Sequence, residues 1–444
     1  MYTAVMFLGA CDHHGGGQEA SDAAAPPDAC EGLGCSIVDC SAKSLPSTTV
    51  SGTVYAPNGT LPLYGVTVYV PIHDPGPLPA GVTCGNCASS VPGGAYTQAI
   101  TDEAGRFTLS GVPAASDVPL VIQVGKWRRQ LTVPSVAACQ DTALPTVSTT
   151  LPRNRSEGDL PQIAITTGDA DALDCLVRKL GVDDAEITTD AQGGKVHLYY
   201  GNGAKQFASG FTGGSGSFSN ATTLWGNLDK LSGYDIVAFS CEGGQHPETK
   251  SQDALQAVHD YAGRGGRVFL SHWHNIWIGG DRNNPDHSLA DWKSIATFDF
   301  AAAQNESTQH AFVDETAPKG AAFATWLENV GATPTRDQLE ISDPRYTCQS
   351  VTARAERWVY VDPDRSEPLG KTGVQDMLFT TPQDEEPAQR CGKVVFSDMH
   401  VSADSSSKSG TAYPGGCSKQ PLTAQEKALA FIFFDISSCV GILQ

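Results

Sequence analysis

From about residue 160 onward, short apolar segments alternate with helical ones, and this alternation constrains the fold more than any other feature of the chain. The predicted strands include PQIAITTG, KVHLYYG, YDIVAFSCEGG and GGRVFLSHWHN, and the apolar residues between them have helical spacing. Near-continuous apolar strands separated by helices are typical of a parallel sheet covered on both faces. The sequence therefore predicts an α/β domain with a mostly parallel sheet over residues 160–444.

Two histidines, His272 and His274, flank a tryptophan where the strand GGRVFLS ends, and a later strand, GKVVFS, is followed by Asp398 and His400. In open α/β sheets, catalytic and binding groups gather beyond the carboxyl ends of the strands. We expect these four side chains to share one cleft, where histidine beside carboxylate suits general acid–base catalysis near neutral pH. Binding of zinc or another divalent ion is an alternative, although no fixed-spacing metal motif is present. A purely structural role is equally consistent with the pattern.

The order of these segments resembles the class I glutamine amidotransferase-like superfamily of flavodoxin-type domains, and within it the trehalose-utilisation-type proteins. The matching features are YDIV at 234–237, the helix ending at Gly265 and Gly266, His272, and GKVVFSDMH at 392–400. In the amidotransferases a cysteine nucleophile follows the glycine pair and its strand. Because His272 stands there, the resemblance implies the flavodoxin-like fold but not glutamine hydrolysis. In the trehalose-utilisation-type branch a histidine occupies this position.

Residues 48–150 have a different pattern, of about seven short strands separated by turns, as in TTVSGTVYAP, YGVTVYVP and TDEAGRFTLSGVP. This succession resembles the carboxypeptidase regulatory-like and CnaB family of prealbumin-like β-sandwiches, whose members are accessory modules. The residues that match are Val50, Gly52, Val54, Gly65, Val66, Val68, Thr101, Asp102, Gly105, Phe107, Leu109, Gly111 and Pro113. The expected fold is thus multidomain, with a small all-β sandwich followed by a flavodoxin-like α/β domain.

The N-terminal segment MYTAVMFLGAC contains the run Leu8-Gly9-Ala10-Cys11. This run resembles the bacterial lipobox, in which a signal peptidase cuts before the cysteine and a diacylglycerol is attached to its sulfur. A polar tether rich in Gly and Ala follows, and no apolar run reaches the roughly 18 residues of a spanning helix. We interpret residues 1–47 as a signal and lipobox with a flexible, cysteine-containing tether, the alternative being a chance match in a tail.

The chain has 13 cysteines, and setting aside Cys11 leaves an even number on each side of residue 150. This distribution predicts disulfides confined to each domain, and hence a protein of an oxidising compartment. Cys84 and Cys87 have zinc-knuckle spacing, but a disulfide is favoured because no second such pair exists. We also predict a disulfide between Cys175 and Cys241, since both lie at the carboxyl edge of neighbouring strands. That bond would remove Cys241 from the candidate nucleophiles.

A net charge of -20 and a pI near 4.8 argue against a nucleic-acid partner. We expect an extracytoplasmic protein, anchored to the outer membrane or cell surface, that binds a glycan or another envelope protein. It would use the β-sandwich and a catalytically degenerate amidotransferase-like domain. The alternative is a cell-surface hydrolase or isomerase acting on a small polar or carbohydrate substrate through the His/Asp set, with metal assistance left open. The sequence indicates no particular cofactor, and the missing cysteine nucleophile favours the binding role.

Overall fold

A computed structural model describes residues 30, 32–85, 87, 91–302, 308–367, 369–401 and 411–440. The predicted lipidation site Cys11 and most of the predicted tether lie outside these residues. No helix in the described ranges is long and apolar enough to cross a membrane.

Residues 49–143 form two small sheets around a common apolar core. Their strands are β1 (Thr49–Thr53), β2 (Thr67–Pro71), β3 (Ala95–Ile100), β4 (Arg106–Ser110), β5 (Ser116–Val124), β6 (Trp127–Ser135) and β7 (Asp141–Ala143). One sheet has the order β4-β1-β7 and the other has the order β3-β2-β5-β6. Successive side chains of a strand point to opposite faces, so Phe107 and Leu109 of β4 enter the core while the residues beside them are exposed.

The rest of the chain builds one large sheet, one two-stranded sheet and the helices. The strands are β8 (Ile163–Thr167), β9 (Ile187–Thr188), β10 (Val196–Tyr200), β11 (Ser219–Asn220), β12 (Ile236–Phe239), β13 (Arg267–Ser271), β14 (Ala296–Phe298), β15 (Thr308–Val313), β16 (Gln338–Ser342), β17 (Cys348–Val351), β18 (Glu356–Val361), β19 (Gly373–Thr381) and β20 (Gly392–Ser397). The helices are α1 (Leu173–Lys179), α2 (Thr222–Trp225), α3 (Leu228–Ser232), α4 (Gln252–Gly263), α5 (Ile276–Gly279), α6 (Ala290–Lys293), α7 (Gly320–Asn329) and α8 (Ala424–Ser437).

The large sheet is mixed, so the prediction of a mostly parallel, flavodoxin-like sheet is wrong. Its order is β11-β10-β8-β12-β13-β20-β19-β18-β15-β16, with β9 beside β10. Pairings from β11 to β20 are parallel, whereas every pairing from β20 to β16 is antiparallel. For β18, β19 and β20 the reason lies in the connections, because a parallel pair needs a long crossover that usually contains an α-helix. The segments joining β18 to β19 and β19 to β20 are short and contain no α-helix.

The two small sheets and the large sheet share one continuous core of buried apolar residues. Trp326 Nε1 of α7 donates a hydrogen bond to the carbonyl oxygen of Pro62 at 2.8 Å. The ring of Tyr64 stacks on Phe431 of α8, with centroids 5.9 Å apart. The boundaries proposed at residues 48–150 and 160–444 therefore separate segments that pack closely together.

The described residues contain five disulfides: Cys30–Cys35, Cys40–Cys139, Cys84–Cys391, Cys87–Cys439 and Cys175–Cys417. Two of them join the loop after β2 to the C-terminal half, so the prediction that disulfides stay within each domain is wrong. The loop leaves the small sheet that contains β2 and contacts the end of α3, where the N–H of Val82 donates to the carbonyl oxygen of Ser232 at 2.9 Å. Disulfides of this number are typical of proteins that reside outside the cytoplasm.

The predicted disulfide between Cys175 and Cys241 is also wrong, because Cys175 pairs with Cys417. The strands β8 and β12 are neighbours, as that prediction required. However, α1 turns Cys175 toward residues 411–417, where Tyr413 Oη donates to the carbonyl oxygen of Asp174 at 3.2 Å. Cys241 lies beside β13 instead. Among the described cysteines, Cys241 and Cys348 are free and buried.

Candidate functional site

Four loops meet at one edge of the large sheet, where β8, β12, β13 and β20 end. These strands are parallel neighbours in that order, so their carboxyl ends lie side by side. Asp171 follows β8, Cys241 follows β12, His272 follows β13, and His400 follows β20. The sheet therefore gathers four polar side chains that are far apart in sequence.

His272 has an unusual backbone conformation. It is the first residue after β13 and begins a short 3-10 helix, His272–Asn275. Its φ is +38°. Positive φ is uncommon for residues other than glycine, and strained conformations of this kind cluster at functional sites. The turn places the imidazole beside the loop that follows β12, where Cys241 lies.

Cys241, His272 and His400 form a compact group, which we call the Cys-His-His cluster. One ligand-type atom from each residue lies within 4.8 Å of the others. Cys241 Sγ is 3.5 Å from His272 Nδ1, and the ring centroids of His272 and His400 are 5.3 Å apart. The three residues are 0%, 2% and 4% exposed, respectively. Bulk solvent therefore does not satisfy their polar atoms.

The cluster leaves three ring nitrogens without a partner. Within the described part of the chain, His272 Nε2 and both nitrogens of His400 make no hydrogen bond. Buried polar groups nearly always have a partner, so each exception calls for an explanation. A bound ligand is one explanation, and these three residues could hold a metal, because imidazole nitrogen and cysteine sulfur are the donors that zinc and copper prefer.

Asp171 holds two of the three loops that form the cluster. Its carboxylate accepts hydrogen bonds from the hydroxyl of Ser271 and from the N–H of Val401 at 2.8 Å. Ser271 precedes His272 and Val401 follows His400. One buried carboxylate thereby fixes the backbone beside both histidines.

Burial controls the protonation of the cluster. It holds the pKa of His272 well below its ordinary range, with a further contribution from the neighbouring His400, and it lowers the pKa of His400 as well. Burial also raises the pKa of the Cys241 thiol to about 12. At neutral pH both imidazoles are therefore uncharged and the thiol keeps its proton. Neutral imidazole is the form that binds metal ions, whereas a protonated thiol is a poor nucleophile.

His274 lies next to the cluster in sequence, but its ring nitrogens are engaged elsewhere. His274 Nε2 donates to the carbonyl oxygen of Ser240 at 3.0 Å, and Nδ1 accepts from Trp277 Nε1 at 2.9 Å. The ring packs at 5.4 Å from that of Phe239 and 6.0 Å from that of Trp225. The structure therefore brings together His272 and His400 and gives His274 a set of contacts within the core.

Asp398 is buried, and its carboxylate binds a different segment. It accepts hydrogen bonds from Thr347 Oγ1 at 2.8 and 3.0 Å and from the N–H of Cys348 at 2.9 Å. Burial raises the pKa of Asp398 to about 7. Asp398 therefore anchors the start of β17 rather than orienting His272 or His400.

Sequence reasoning missed Asp171 and discounted Cys241. Asp171 is hard to recognise because Asp169 and Asp174 lie close to it in the segment that follows β8. Cys241 was discounted because the disulfide predicted with Cys175 would have occupied its sulfur. The signal that could have found both residues is their position, since each lies shortly after a strand that ends at the edge carrying His272.

Comparison with known proteins leaves the family of the chain unassigned. No protein-family model and no curated protein matches it. Among solved structures, a ThuA-like protein from Bacteroides uniformis is similar with a TM-score of 0.32 and 10% identity, over 61% of this chain and 88% of that one. Two mutant type II cohesin–X-dockerin complexes from Acetivibrio cellulolyticus match with TM-scores of 0.18 and 0.16 and identities of 19% and 16%. They cover 31% and 33% of this chain, and 85% and 79% of theirs. TM-scores this low do not establish a common fold.

Proposed function

We propose that the protein is an exported envelope protein, lipid-anchored through Cys11, with a binding or accessory role rather than a hydrolytic one. The five disulfides support export because such bonds persist in oxidising compartments. The lipobox-like run that ends at Cys11 supports the anchor. The loops would present the binding surface to a glycan or another envelope protein.

The observation that carries the binding role is the enclosure of Cys241. This thiol is wholly buried, and the imidazole beside it belongs to His272, whose Nε2 has no partner in the described part of the chain. A thiol–imidazole hydrolase needs a nucleophile that substrate can reach and a base oriented by a third group. The cluster offers buried donor atoms to a ligand but lacks both of these requirements.

A hydrolase or isomerase that uses the whole predicted His/Asp set has less support. His274 and Asp398 make hydrogen bonds outside the Cys-His-His cluster. General acid–base catalysis needs its groups within hydrogen-bond reach of one substrate. Only His272 and His400 of the predicted set meet that condition.

A turnover screen tests the binding role. Purified, oxidised protein should hydrolyse or isomerise no ester, amide or glycoside substrate above the background of a His272→Ala/His400→Ala variant. The screen should include added divalent metal ions, since metal-assisted hydrolysis is the nearest competing activity. Turnover by the wild-type protein that the double variant loses would contradict the proposal.

Fractionation tests the anchor. Expressed with a lipoprotein signal sequence, the wild-type protein should partition into detergent, and Cys11→Ser should release or misprocess it. Ser21→Ala is the matched control, because it alters the same tether without removing the sulfur that carries the lipid. If Cys11→Ser partitions as the wild-type protein does, the lipid anchor is excluded. The proposal of export would then rest on the disulfides alone.

A further inference from the structure

We propose that the Cys-His-His cluster is a buried binding site for a thiophilic transition-metal ion, Zn²⁺ or Cu⁺. The inference rests on the proposed binding role and names the ligand of its buried site. Cys241 releases its thiol proton to solvent as the ion binds and supplies a thiolate sulfur, and His272 and His400 each supply an imidazole nitrogen. None of these atoms is more than 4.8 Å from the others.

The distance between two of the three donors, Cys241 Sγ and His272 Nδ1, suits such an ion. Bond lengths of about 2.3 Å to sulfur and about 2.0 Å to nitrogen, at tetrahedral angles, place the two donor atoms about 3.5 Å apart. Cys241 Sγ and His272 Nδ1 are separated by 3.5 Å. Three protein ligands leave a fourth tetrahedral position for water or another small ligand.

The unpartnered nitrogens provide an independent argument. Both nitrogens of His400 are buried without a hydrogen bond to any described residue. Unsatisfied buried polar atoms destabilise the folded state. An ion bound through His272 Nδ1 also accepts a lone pair from one nitrogen of His400, and so gives a partner to an imidazole that otherwise has none.

The chemistry of the cysteines points the same way. Ten described cysteines form disulfides, as expected in an oxidising compartment, whereas Cys241 stays reduced beside two histidines. Both free cysteines are buried, so burial accounts for their reduced state, and what distinguishes Cys241 is the pair of histidines beside its sulfur. Cys348 is the contrasting residue, because its Sγ lies 3.9 Å from the carbonyl oxygen of Ser350 and it is not part of a metal-ligand group.

The backbone around the cluster is held in place before any ion binds. Asp171 bonds to Ser271 and Val401, which adjoin His272 and His400. Metal sites depend on such outer partners to orient the ligands. The backbone beside both histidine ligands is therefore fixed by hydrogen bonds, as is usual in metal-binding sites.

Metal titration of the intact, oxidised protein tests the inference. Chelator-treated protein should bind one equivalent of Zn²⁺ against a chromophoric competitor. A parallel titration with Cu⁺ under air-free conditions distinguishes the two ions by affinity. Cobalt(II) should give the sulfur-to-metal charge-transfer absorption that requires a thiolate ligand. This last measurement needs no variant and so does not depend on how a substitution folds.

Matched variants assign the ligands. Cys241→Ser should remove the cobalt charge-transfer band and weaken Zn²⁺ binding by more than about 100-fold, since even outer-shell substitutions cost roughly 10–100-fold. His400→Gln should weaken binding to a similar extent. Cys348→Ser removes the other buried thiol, and His310→Gln removes an exposed imidazole. Both control variants should bind as the wild-type protein does.

The outcomes separate this inference from the proposed function. Absence of stoichiometric Zn²⁺ and Cu⁺ binding by the wild-type protein, or equal binding by Cys241→Ser and Cys348→Ser, would overturn the metal site and leave the exported binding role standing. Stoichiometric metal binding together with metal-dependent hydrolysis of a substrate would support the metal site and contradict the proposed non-hydrolytic role.

Discussion

At the scale of single residues, Asp171 organises side chains that are distant in sequence. Its carboxylate is bonded to the Ser271 hydroxyl and the Val401 N–H. It also accepts a hydrogen bond from the N–H of Ala172 at 2.7 Å. Because charge-assisted hydrogen bonds are stronger than neutral ones, an ionised carboxylate suits this role better than an amide of the same shape.

We predict that Asp171→Asn weakens metal binding by about 10–100-fold while the protein stays folded, because it loosens the segments that carry His272 and His400. Competition titration measures the affinity, and the cobalt spectrum reports ligand geometry. Asp253→Asn in α4 is the control for removing one negative charge elsewhere. A variant with wild-type affinity and an unchanged cobalt spectrum would show that Asp171 has no part in positioning the site.

Asp376 is a second buried carboxyl, and it should limit stability at neutral pH. Burial holds its pKa well above the ordinary value of 3.8, and a hydrogen bond with Ser397 offsets only part of this shift. The folded state thus keeps a proton that the unfolded chain releases above about pH 4, so this group makes stability fall as pH rises from that point.

We predict that Asp376→Asn raises the free energy of unfolding at pH 7 by on the order of 1 kcal/mol or more, with a gain that shrinks toward pH 4. Denaturant unfolding of the oxidised protein at both pH values measures it. The exposed Asp364→Asn variant controls for the general loss of a negative charge. An equal effect of Asp376→Asn at the two pH values would contradict the predicted neutral carboxyl.

At the scale of elements, α8 illustrates how local sequence fixes a helix start. Thr423 Oγ1 accepts from the N–H of Glu426 at 3.2 Å, and Glu426 Oε2 accepts from the N–H of Thr423 at 2.8 Å. This capping box satisfies donors that the first turn leaves free. The other carboxylate oxygen of Glu426 lies 2.7 Å from Lys179 Nζ, which joins α8 to α1.

We predict that Thr423→Ala lowers the free energy of unfolding by about 1 kcal/mol, the usual cost of losing an N-cap side chain. Thr423→Ser keeps the hydroxyl and should stay close to the wild-type value. The denaturant concentrations at the unfolding midpoint are compared for the wild-type protein and the two variants. Equal stability of the alanine and serine variants would mean that tertiary packing alone fixes the start of α8.

The parallel strands could be predicted from the sequence because their residues are apolar on both faces. All residues of β8, β12 and β13 are buried, and each strand contains three or more consecutive apolar residues shortly before the polar residues of the site. The antiparallel half could not be predicted in this way. Its longest strand, β19, buries Gln375 and Asp376, and buried polar residues interrupt the pattern from which a strand is recognised.

The partners of the cysteines could not be predicted either. Connectivity depends on which loops meet in the folded chain, and sequence spacing does not determine that. The Cys84-Gly-Asn-Cys87 loop meets Cys391 and Cys439, which are 307 and 352 residues away, respectively. The wrong pairing of Cys175 with Cys241 also hid the Cys-His-His cluster, because it placed the one cysteine of the site in a disulfide.

At the scale of the whole molecule, covalent bonds and a common core join the two halves of the chain. With the Cys87–Cys439 disulfide in place, the Cys84–Cys391 disulfide closes an effective loop of about 50 residues, which runs from Cys84 to Cys87 and from Cys391 to Cys439, whereas Cys30–Cys35 closes one of 5. In the chain-entropy account a disulfide stabilises more when it closes a longer loop. The contact between the small sheets and the large sheet should therefore depend strongly on Cys84–Cys391 and little on Cys30–Cys35.

We predict that Cys84→Ser/Cys391→Ser lowers the free energy of unfolding by about 2–4 kcal/mol. Cys30→Ser/Cys35→Ser, which removes the short-loop bond, should cost clearly less. Denaturant unfolding under non-reducing conditions compares the two pairs. A larger loss from the short-loop pair would contradict this account of how the halves are held together.

X-ray absorption at the metal edge of the zinc-loaded, oxidised protein identifies the atoms that bind the ion. We predict one sulfur at about 2.3 Å and nitrogen donors at about 2.0 Å from the ion, with the sulfur absent in Cys241→Ser and retained in Cys348→Ser. A first shell of only oxygen and nitrogen in the wild-type protein, or a sulfur that survives Cys241→Ser, would contradict a metal site built from Cys241, His272 and His400.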